Sequence, residues 1–356
     1  MAEMRFADVL EIKNGRNQSE VETLDGVYPI YGSGGIMGRA NSFICPANTV
    51  IIGRKGSINK PIFVEEPFWN VDTAFGLVAD ETKLLPRYLY YFCVHYDFEK
   101  LNTTVTIPSL TKANLLKIEI NPPDISTQER IVETLDQIEH IIRTRQRQLL
   151  TLDTLIKARF VEMFGNEKRF LPMRDICSII TDGTHQPPKF VTEGIPFIFV
   201  SNITGNVLTY DAGKYIDQAT YDELVKRTPI EIGDILLSTV GSYGHPAVVK
   251  SDKRFLFQRH IAYLKPRRDI IDSDYLHGAI LSPIVQMQIE EGVKGIAQKT
   301  LNLSEIKKLI VPVPEIKKQQ QFAIFVAQIN KSKAIVKKAL DEAQILFEKL
   351  MQTYFC

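Results

Sequence analysis

The chain has 356 residues, with 43 Lys and Arg against 42 Asp and Glu, and 44% of its residues are hydrophobic. At about 150 residues per domain this length predicts two domains, and the composition excludes wholesale disorder. No uncharged apolar run reaches the ~18 residues of a membrane span, and acidic residues interrupt the opening stretch MAEMRFADVLEIKNG, where a signal peptide needs an apolar segment. We therefore expect a soluble, cytoplasmic protein without a membrane partner.

The first globular segment contains a window without acidic residues. Between Asp25 and Glu65 the chain carries four Lys and Arg, together with the stretches YGSGGIMGRAN (31–41) and GRKGSINK (53–60). Clustered cations of this kind neutralise phosphates, and the alternative is a solvated basic face. GSGGIMG does not match GxGxxG, and no GKS or GKT follows, so we interpret it as a turn rather than a nucleotide site.

A long helix is predicted after this segment. The linker NPPD (121–124) is similar to the NPP-aromatic motif with which adenine methyltransferases hold a flipped base, but Asp replaces the aromatic residue, so we interpret it as a linker that precedes the helix. From Ile131 to Met163 apolar-seam positions recur at alternating steps of four and three, with Arg145 and Arg159 among them. This heptad pattern predicts a coiled-coil helix of ~36 residues, or ~54 Å; an ordinary core helix is the alternative.

The second globular segment resembles the first. VIIGRKGSINKPIFV (50–64) aligns with ILLSTVGSYGHPAVV (235–249), and each reads as strand, Gly-Ser turn, Pro and strand. From Ile235 to Arg268 only Asp252 is acidic, against seven Lys and Arg. A basic window at the same place in both copies favours nucleic acid over a merely solvated face.

The repeat continues into a second long helix. Residues 109–164 align without a gap with residues 300–355, an offset of 191, and the heptad frame persists from Phe322 to Tyr354 with Lys333 in the seam. We predict that the two helices pack antiparallel, and that the seam charges fix the register or face a partner. No GxSxG or HExxH motif occurs, and neither the histidines nor the four widely spaced cysteines have metal-ligand spacing, so we expect no catalytic or metal site.

Three motifs together carry a resemblance to a known family: GRKGSI (53–58), TIPSLTKANL (106–115) and PPDISTQERIV (122–132). The chain resembles the specificity subunits of Type I restriction-modification systems over its whole length. This implies an α+β (mixed α/β) fold with two tandem target recognition domains, a pair of long antiparallel coiled-coil helices and an internal pseudo-two-fold repeat. The boundaries that we predict are 1–125 for the first recognition domain, 126–166 for the central spacer helix, 167–316 for the second recognition domain and 317–356 for the C-terminal spacer helix.

The resemblance also implies a function and partners. Each recognition domain would bind one half of a bipartite double-stranded DNA target, while the helix pair sets the spacer and docks two methyltransferase subunits, joined by restriction subunits in the full complex. The chain itself would hold no cofactor, because S-adenosylmethionine belongs to the methyltransferase, and ATP and Mg belong to the restriction subunit. Two alternatives are a protein-binding coiled-coil scaffold and a recognition fragment of a fused nuclease or methyltransferase.

The DNA contacts are predicted from polar and basic residues on Gly-rich or Pro-flanked turns in or near the basic windows. Lysines are expected to bind phosphates, and Asn59, Gln186 and His245 to pair with base edges. In the first domain the candidates are Ser33, Arg39, Asn41, Arg54, Lys55, Ser57, Asn59, Lys60, Ser109 and Lys112. In the second domain they are Thr184, His185, Gln186, Lys189, Asn202, Thr239, Ser242, Tyr243, His245, Arg259 and Lys299.

Overall fold

The computed structural model describes residues 4–102, 108–295 and 298–356. The chain divides into two units, of which unit 1 contains residues 1–146 and 338–356, and unit 2 contains residues 147–337. Each unit therefore combines one globular segment with part of each long helix. The domain boundaries predicted from sequence differ from this division in treating the helices as separate domains, and they stay a prediction.

Short strands build three sheets in the described part of unit 1. The strands are β1 (Met4–Arg5), β2 (Leu10–Asn14), β3 (Tyr28–Gly32), β4 (Gly35–Ala40), β5 (Thr49–Gly53), β6 (Ile62–Val64), β7 (Trp69–Asn70), β8 (Ala74–Ala79) and β9 (Glu119–Ile120). The helices before the first long helix are α1 (Phe6–Val9), α2 (Pro86–His95), the 3-10 helix Phe98–Leu101 and α3 (Lys112–Leu115). The sheets have the orders β2-β8-β5-β6, β4-β3-β7 and β1-β9, and only the β3–β7 pair is parallel.

Unit 2 repeats this topology strand for strand. Its strands are β10 (Phe170–Pro172), β11 (Cys177–Asp182), β12 (Ile195–Ile198), β13 (Tyr215–Ile216), β14 (Ile235–Ser238), β15 (Pro246–Val248), β16 (Leu256–Phe257), β17 (Ile261–Pro266) and β18 (Ile310–Pro312). The sheet orders β11-β17-β14-β15, β13-β12-β16 and β10-β18 follow from those of unit 1 when nine is added to each strand number, and β12–β16 is again parallel. The internal repeat is thus confirmed at the level of the fold.

The two long helices contain both heptad runs, 131–163 and 322–354. The first long helix, α4, covers Ile125–Phe164, and the second, α10, covers Ile316–Phe355. The shorter helices between them are α5 (Met173–Ile176), the 3-10 helix Val200–Asn202, α6 (Gln218–Leu224), the 3-10 helix Val225–Arg227, α7 (Ser273–Ile280), α8 (Pro283–Gly292) and α9 (Leu303–Ile306). Every seam position named by the heptads is buried or half-buried, whereas Leu150, which lies off the seam, is 69% exposed.

Within unit 2 the helix segments run antiparallel, as predicted. The Lys333 ammonium lies 2.6 Å from the Asp153 carboxylate, and further along α4 the Phe160 ring packs on Phe322 at 5.4 Å between ring centroids. Contacts therefore move toward the start of α10 as they move toward the end of α4. The seam charge at Lys333 thus pairs with a residue of the opposite helix.

Each unit buries the end of one long helix against an equivalent tyrosine. In unit 1 the Tyr88 and Phe355 rings lie 5.0 Å apart, and in unit 2 the Tyr275 and Phe164 rings also lie 5.0 Å apart. All four rings belong to the main hydrophobic clusters of their units. The first globular segment therefore packs on the end of α10, and the second on the end of α4.

A buried glutamine near the start of each long helix fastens it to the adjoining domain. The Gln128 carboxamide accepts from the Leu85 N–H at 2.8 Å and donates to the carbonyls of Lys83 and Pro123, both at 2.9 Å. The side chain is fully buried. Leu85 is the residue that precedes α2, so one side chain fixes the start of two helices.

Gln319 makes the same three contacts in unit 2. It accepts from the Asp272 N–H at 2.8 Å and donates to the carbonyls of Ile270 at 3.1 Å and Pro314 at 2.7 Å. Asp272 in turn caps α7 through its own side chain. Both copies of the repeat therefore have glutamine at this position because the side chain has the same structural role in each.

Candidate nucleic-acid interface

In unit 1 the turn after β5 is held against the segment that follows residue 107. Gly56 has a positive φ of 80°, a conformation that favours glycine, and its N–H donates to the Pro108 carbonyl at 3.1 Å. The Leu110 N–H donates to the Arg54 carbonyl at 2.9 Å. We call residues 54–60 the first Gly-Ser turn. Its backbone is fixed by the fold, and Arg54, Lys55 and Lys60 are exposed on it while Ile58 is buried.

In unit 2 the turn after β14 has the same backbone. Gly241 has a φ of 73°, its N–H donates to the Lys299 carbonyl at 3.2 Å, and the Leu301 N–H donates to the Thr239 carbonyl at 2.8 Å. We call residues 239–245 the second Gly-Ser turn. The two domains thus present one scaffold with different side chains.

Five predicted contact residues come together at the first Gly-Ser turn. Lys55 and Ser109 pair as an antiparallel β-bridge, and a Cβ built at Gly53 would lie 3.1 Å from the Ser33 Cβ. Arg54 and Lys55 are exposed, so their charges face solvent. The assembled set is Ser33, Arg54, Lys55, Ser57 and Ser109, with exposed Lys60 at the end of the turn.

Arg39 and Asn41 do not join this set. The turn at Ser33 connects β3 to β4, and Arg39 lies six residues further along, or about 20 Å at 3.3 Å per strand residue. The Arg39 guanidinium donates to the Val27 carbonyl at 3.2 Å, and the Asn41 N–H donates to the Val21 carbonyl at 3.1 Å. Arg39 and Asn41 were predicted to lie with Ser33 because they are close in sequence, but the β3–β4 hairpin places them away from the first Gly-Ser turn.

Two further first-domain candidates have side chains committed to the fold. The Asn59 amide donates to the Asp97 carboxylate at 3.1 Å and accepts from the Phe98 N–H at 2.7 Å. The half-buried Lys112 ammonium donates to the Ile12 carbonyl at 2.7 Å. The base contact predicted for Asn59 would require it to give up both hydrogen bonds.

In unit 2 a groove of about 510 Å³ lies between residues 183–189 and 220–228. Thr184, His185, Gln186 and Lys189 line it as predicted candidates. Lys226 and Arg227 line it as well, and sequence reasoning missed them because Arg227 is 42 residues from His185 along the chain. The basic dipeptide Lys226-Arg227 was the available signal.

A second cavity, of about 320 Å³, shares His185 with the groove and extends the surface to the second Gly-Ser turn. Its lining includes Arg259 and two residues that the sequence did not indicate, His260 and Gln298. Burial and then the Arg259 charge lower the pKa of His260, so the neutral imidazole is favoured near pH 7 and can accept a hydrogen bond. Ser242 and Lys299 are exposed at the same turn.

Two second-domain candidates, Asn202 and Thr239, are buried. Asn202 is 7% exposed, accepts from the Phe199 N–H at 3.0 Å and donates to the Asp211 carbonyl at 2.9 Å, so its polar groups are used internally. Thr239 is 6% exposed. The internal hydrogen bonds of Asn202 remove it from the predicted contacts, whereas Thr239 lines the second cavity and stays a predicted contact.

Two other candidates at the second Gly-Ser turn have internal partners. The Tyr243 hydroxyl donates to the Glu290 carboxylate at 2.8 Å, and the His245 Nδ1 lies 3.0 Å from the Asn206 side-chain oxygen. His245 is half-buried and leaves Nε2 for another partner. His245 therefore stays a predicted base contact.

The model of the Type I restriction modification DNA specificity domain matches residues 1–152 and 170–344. The chain belongs to this family. Because the family is the DNA-recognition component of Type I restriction-modification systems and is not catalytic, the chain has a DNA-specificity role and is not an enzyme. The family resemblance drawn from the three motifs is confirmed.

Individual relatives span most of the chain. The Type I restriction enzyme EcoBI specificity subunit of Escherichia coli is 24% identical over 85% of this chain and 71% of its own length. A putative Type I restriction enzyme specificity subunit of Haemophilus influenzae is 21% identical, over 93% of this chain and 86% of its own length. These relatives support the same specificity role in a restriction system.

Solved structures show the same fold. The crystal structure of a Type I restriction-modification S subunit from M. genitalium superposes with a TM-score of 0.65, at 16% identity, over 100% of this chain and 96% of that one. A chain from a structure of Type I complex assembly and conformational transition gives 0.55, at 16% identity, over 99% and 96%. Two repeated domains and two long helices are therefore the fold of this specificity-family chain.

The NPPD linker of this specificity-family member begins a helix. The Asp124 carboxylate accepts from the Thr127 N–H at 3.0 Å, and hydrogen bonds from Ser126 and Thr127 lower its pKa to about 2. An acceptor that stays ionised at this position satisfies the first N–H groups of α4. This explains why Asp stands where a base-holding motif has an aromatic ring.

Three of the four cysteines, Cys45, Cys93 and Cys177, are buried, and Cys356 is exposed. Burial raises the pKa of the Cys45 and Cys177 thiols to about 12, so both stay protonated near pH 7 and are poor nucleophiles. Residues 4–102, 108–295 and 298–356 contain no group of three potential metal-ligating side chains. In the same ranges no helix is long and apolar enough to cross a bilayer.

We predict that Lys189→Ala weakens binding to all duplex sequences alike. An exposed lysine that neutralises one phosphate releases about one counterion, so the slope of log K against log salt should fall by about one unit. Titrations of a labelled duplex at several salt concentrations measure this slope. Lys168→Ala, at an exposed lysine outside the groove, is the matched control and should leave the slope unchanged. Equal slopes for Lys189→Ala and wild type would contradict the phosphate contact.

Proposed function

We propose that each recognition domain binds one half of a bipartite double-stranded DNA target. The observation that carries this proposal is the pair of Gly-Ser turns, which have the same backbone hydrogen bonds and flank exposed basic and polar side chains in both units. One scaffold built twice is suited to two half-sites of one duplex. Arg54 and Lys55 in the first domain, and Lys189 and Arg259 in the second, supply charge for the phosphates.

The two half-sites differ in sequence. In the repeat, Lys55 corresponds to Val240 and Lys60 to His245, so the two turns offer different groups to DNA. Neutral polar groups such as Gln186 and His245 are suited to hydrogen bonds with base edges in the major groove. Since the scaffold is shared and the side chains are not, the target is an asymmetric pair of half-sites.

The helix pair docks two methyltransferase subunits and sets the spacer between the half-sites. Large apolar side chains are exposed on the long helices off the buried seam, a surface that favours burial against a protein partner. On α4 they are Ile141, Leu150, Leu155 and Val161, and on α10 they are Ile324, Ile335, Ile345 and Leu346. Each long helix has 40 residues, or about 60 Å at 1.5 Å per residue. Restriction subunits join in the full complex.

We predict that Ile335→Asp weakens assembly with the methyltransferase. Ile335 is 72% exposed in this chain, so the substitution leaves its fold intact, but a buried carboxylate at the interface would be costly. Co-purification or analytical ultracentrifugation should show at least a tenfold weaker complex. Asn330→Asp, which places the same charge at an exposed position on a different face of α10, is the control. Wild-type assembly by Ile335→Asp would remove this residue from the docking surface.

The chemistry belongs to the partners. S-adenosylmethionine binds to the methyltransferase subunits, and ATP and Mg bind to the restriction subunits, while this chain positions them on DNA. The purified chain with S-adenosylmethionine and duplex DNA should transfer no methyl groups. The cytoplasmic location stays a prediction.

Selection of bound sequences from a random duplex pool tests the proposed function. The chain, assembled with its methyltransferase subunits, should enrich two short blocks of different sequence at a fixed separation. A single continuous block would contradict the two-domain mechanism. No binding even at low salt would favour a protein-binding coiled-coil scaffold.

A further inference from the structure

Three polar side chains, Asp182, His185 and Arg227, meet where the second-domain groove adjoins the second cavity. The Asp182 carboxylate lies 2.6 Å from the Arg227 Nη2 and 2.9 Å from the His185 Nε2. Asp182 is the last residue of β11, and its side chain is 17% exposed. Arg227 is the last residue of the 3-10 helix Val225–Arg227, and its side chain is 55% exposed. The carboxylate is thus the sheltered member, and the guanidinium the one that faces the groove.

The contact fixes Arg227 without using up its hydrogen-bonding capacity. A guanidinium has five N–H donors in a planar fork. Within the part of the chain that the structure describes, Nη2 contacts Asp182 and lies 3.4 Å from His185 Nε2, and neither Nε nor Nη1 makes a hydrogen bond. Asp182 therefore holds the guanidinium through Nη2, and the N–H groups of Nε and Nη1 are available to a ligand.

We propose that Arg227 reads a guanine in the half-site bound by the second domain, with Asp182 as its positioning residue. This inference rests on the proposed function. An arginine fork matches the O6 and N7 acceptors of guanine in the major groove, which is the commonest specific side-chain contact to a base. A contact held rigid by a neighbouring side chain loses less conformational freedom on binding than a free one.

Base reading fits this site better than phosphate binding does. A phosphate at Arg227 would lie close to the Asp182 carboxylate, and two anions repel at such distances. Guanine acceptors carry no net charge, so they avoid this penalty. Lys189 and Lys226 line the same groove and are exposed, so they supply positive charge for the backbone, which leaves Arg227 for the base edge.

The test uses the target selected by the wild-type chain in its assembled complex. Binding is measured for duplexes in which each base pair of the second half-site is changed in turn, with wild type, Arg227→Lys, Asp182→Asn and the control Lys226→Ala. We expect Arg227→Lys to lose roughly 5- to 150-fold discrimination at one G·C pair and to keep it elsewhere, because lysine retains the charge but not the fork. Asp182→Asn should lose discrimination at the same pair to a smaller extent.

Lys226→Ala should instead weaken binding to all duplexes equally. Two results would overturn the inference: wild-type discrimination by Arg227→Lys at every pair, or a uniform loss of affinity like that of Lys226→Ala. Unchanged thermal unfolding of the variants shows that the fold is retained. If the wild-type complex itself shows no preference for a second half-site, the proposed function fails, and this outcome is distinct from failure of the Arg227 contact.

Discussion

Phe322→Ala is expected to destabilise unit 2 by about 3–5 kcal/mol, the range for removing a large buried ring. Phe322 is fully buried, and its ring centroid lies 5.4 Å from that of Phe160, 5.7 Å from that of Phe164 and 6.1 Å from that of Tyr275. The loss has two parts, because the cluster gives up buried apolar area and retains a cavity. Urea denaturation followed by circular dichroism measures the change.

The control for this prediction lies two residues further along α10. Ile324 is 61% exposed, so Ile324→Ala should change the free energy of unfolding by no more than about 0.5 kcal/mol. A loss below about 1 kcal/mol for Phe322→Ala would contradict the packing of α10 into the core of unit 2.

Gln319→Ala is expected to cost about 3 kcal/mol, which is large for a polar side chain. It removes three hydrogen bonds and leaves the Asp272 N–H and the carbonyls of Ile270 and Pro314 without their partner in a buried site. Each unsatisfied buried group costs about 1–3 kcal/mol, and partial access of water reduces the sum. The start of α7 should also lose protection in hydrogen exchange, because Asp272 caps that helix.

Gln320→Ala provides a matched control at the next position. Gln320 is exposed, so this variant removes the same side chain without affecting the buried contacts. If both variants unfold at the same urea concentration, the buried contacts of Gln319 do not hold the domain to the helix.

The repeat and the long helices could be predicted because their signals are local or periodic. Heptads from Ile131 to Met163 and from Phe322 to Tyr354 determine which positions are buried, since a helix face recurs at a fixed spacing. Two seam charges have contacts with the opposite helix: Lys333 pairs with Asp153, and the Arg159 guanidinium lies 5.8 Å over the Phe325 ring.

The contact residues were harder to predict because they depend on tertiary placement. Asn202 is typical of a turn in sequence, yet it is buried, because its side chain satisfies backbone groups inside the domain. Arg227 was missed because it meets Asp182 across 45 residues of sequence. A single sequence shows composition and the spacing of residues along the chain. A contact between residues far apart in the chain produces no repeating pattern, so it cannot be predicted from that sequence.

The central claim is that the two domains read separate half-sites. The most direct measurement is competition binding of the Ser33→Ala and Ser57→Ala double variant, in the assembled methyltransferase complex, against duplexes mutated in one half-site at a time, because serine hydroxyls at the first Gly-Ser turn can contact base edges, whereas contacts to phosphates carry no sequence information. The double variant should bind more weakly overall and should discriminate less only at the half-site of the first domain. The discrimination ratio at the other half-site should equal that of wild type. Equal loss of discrimination at both half-sites would contradict the account.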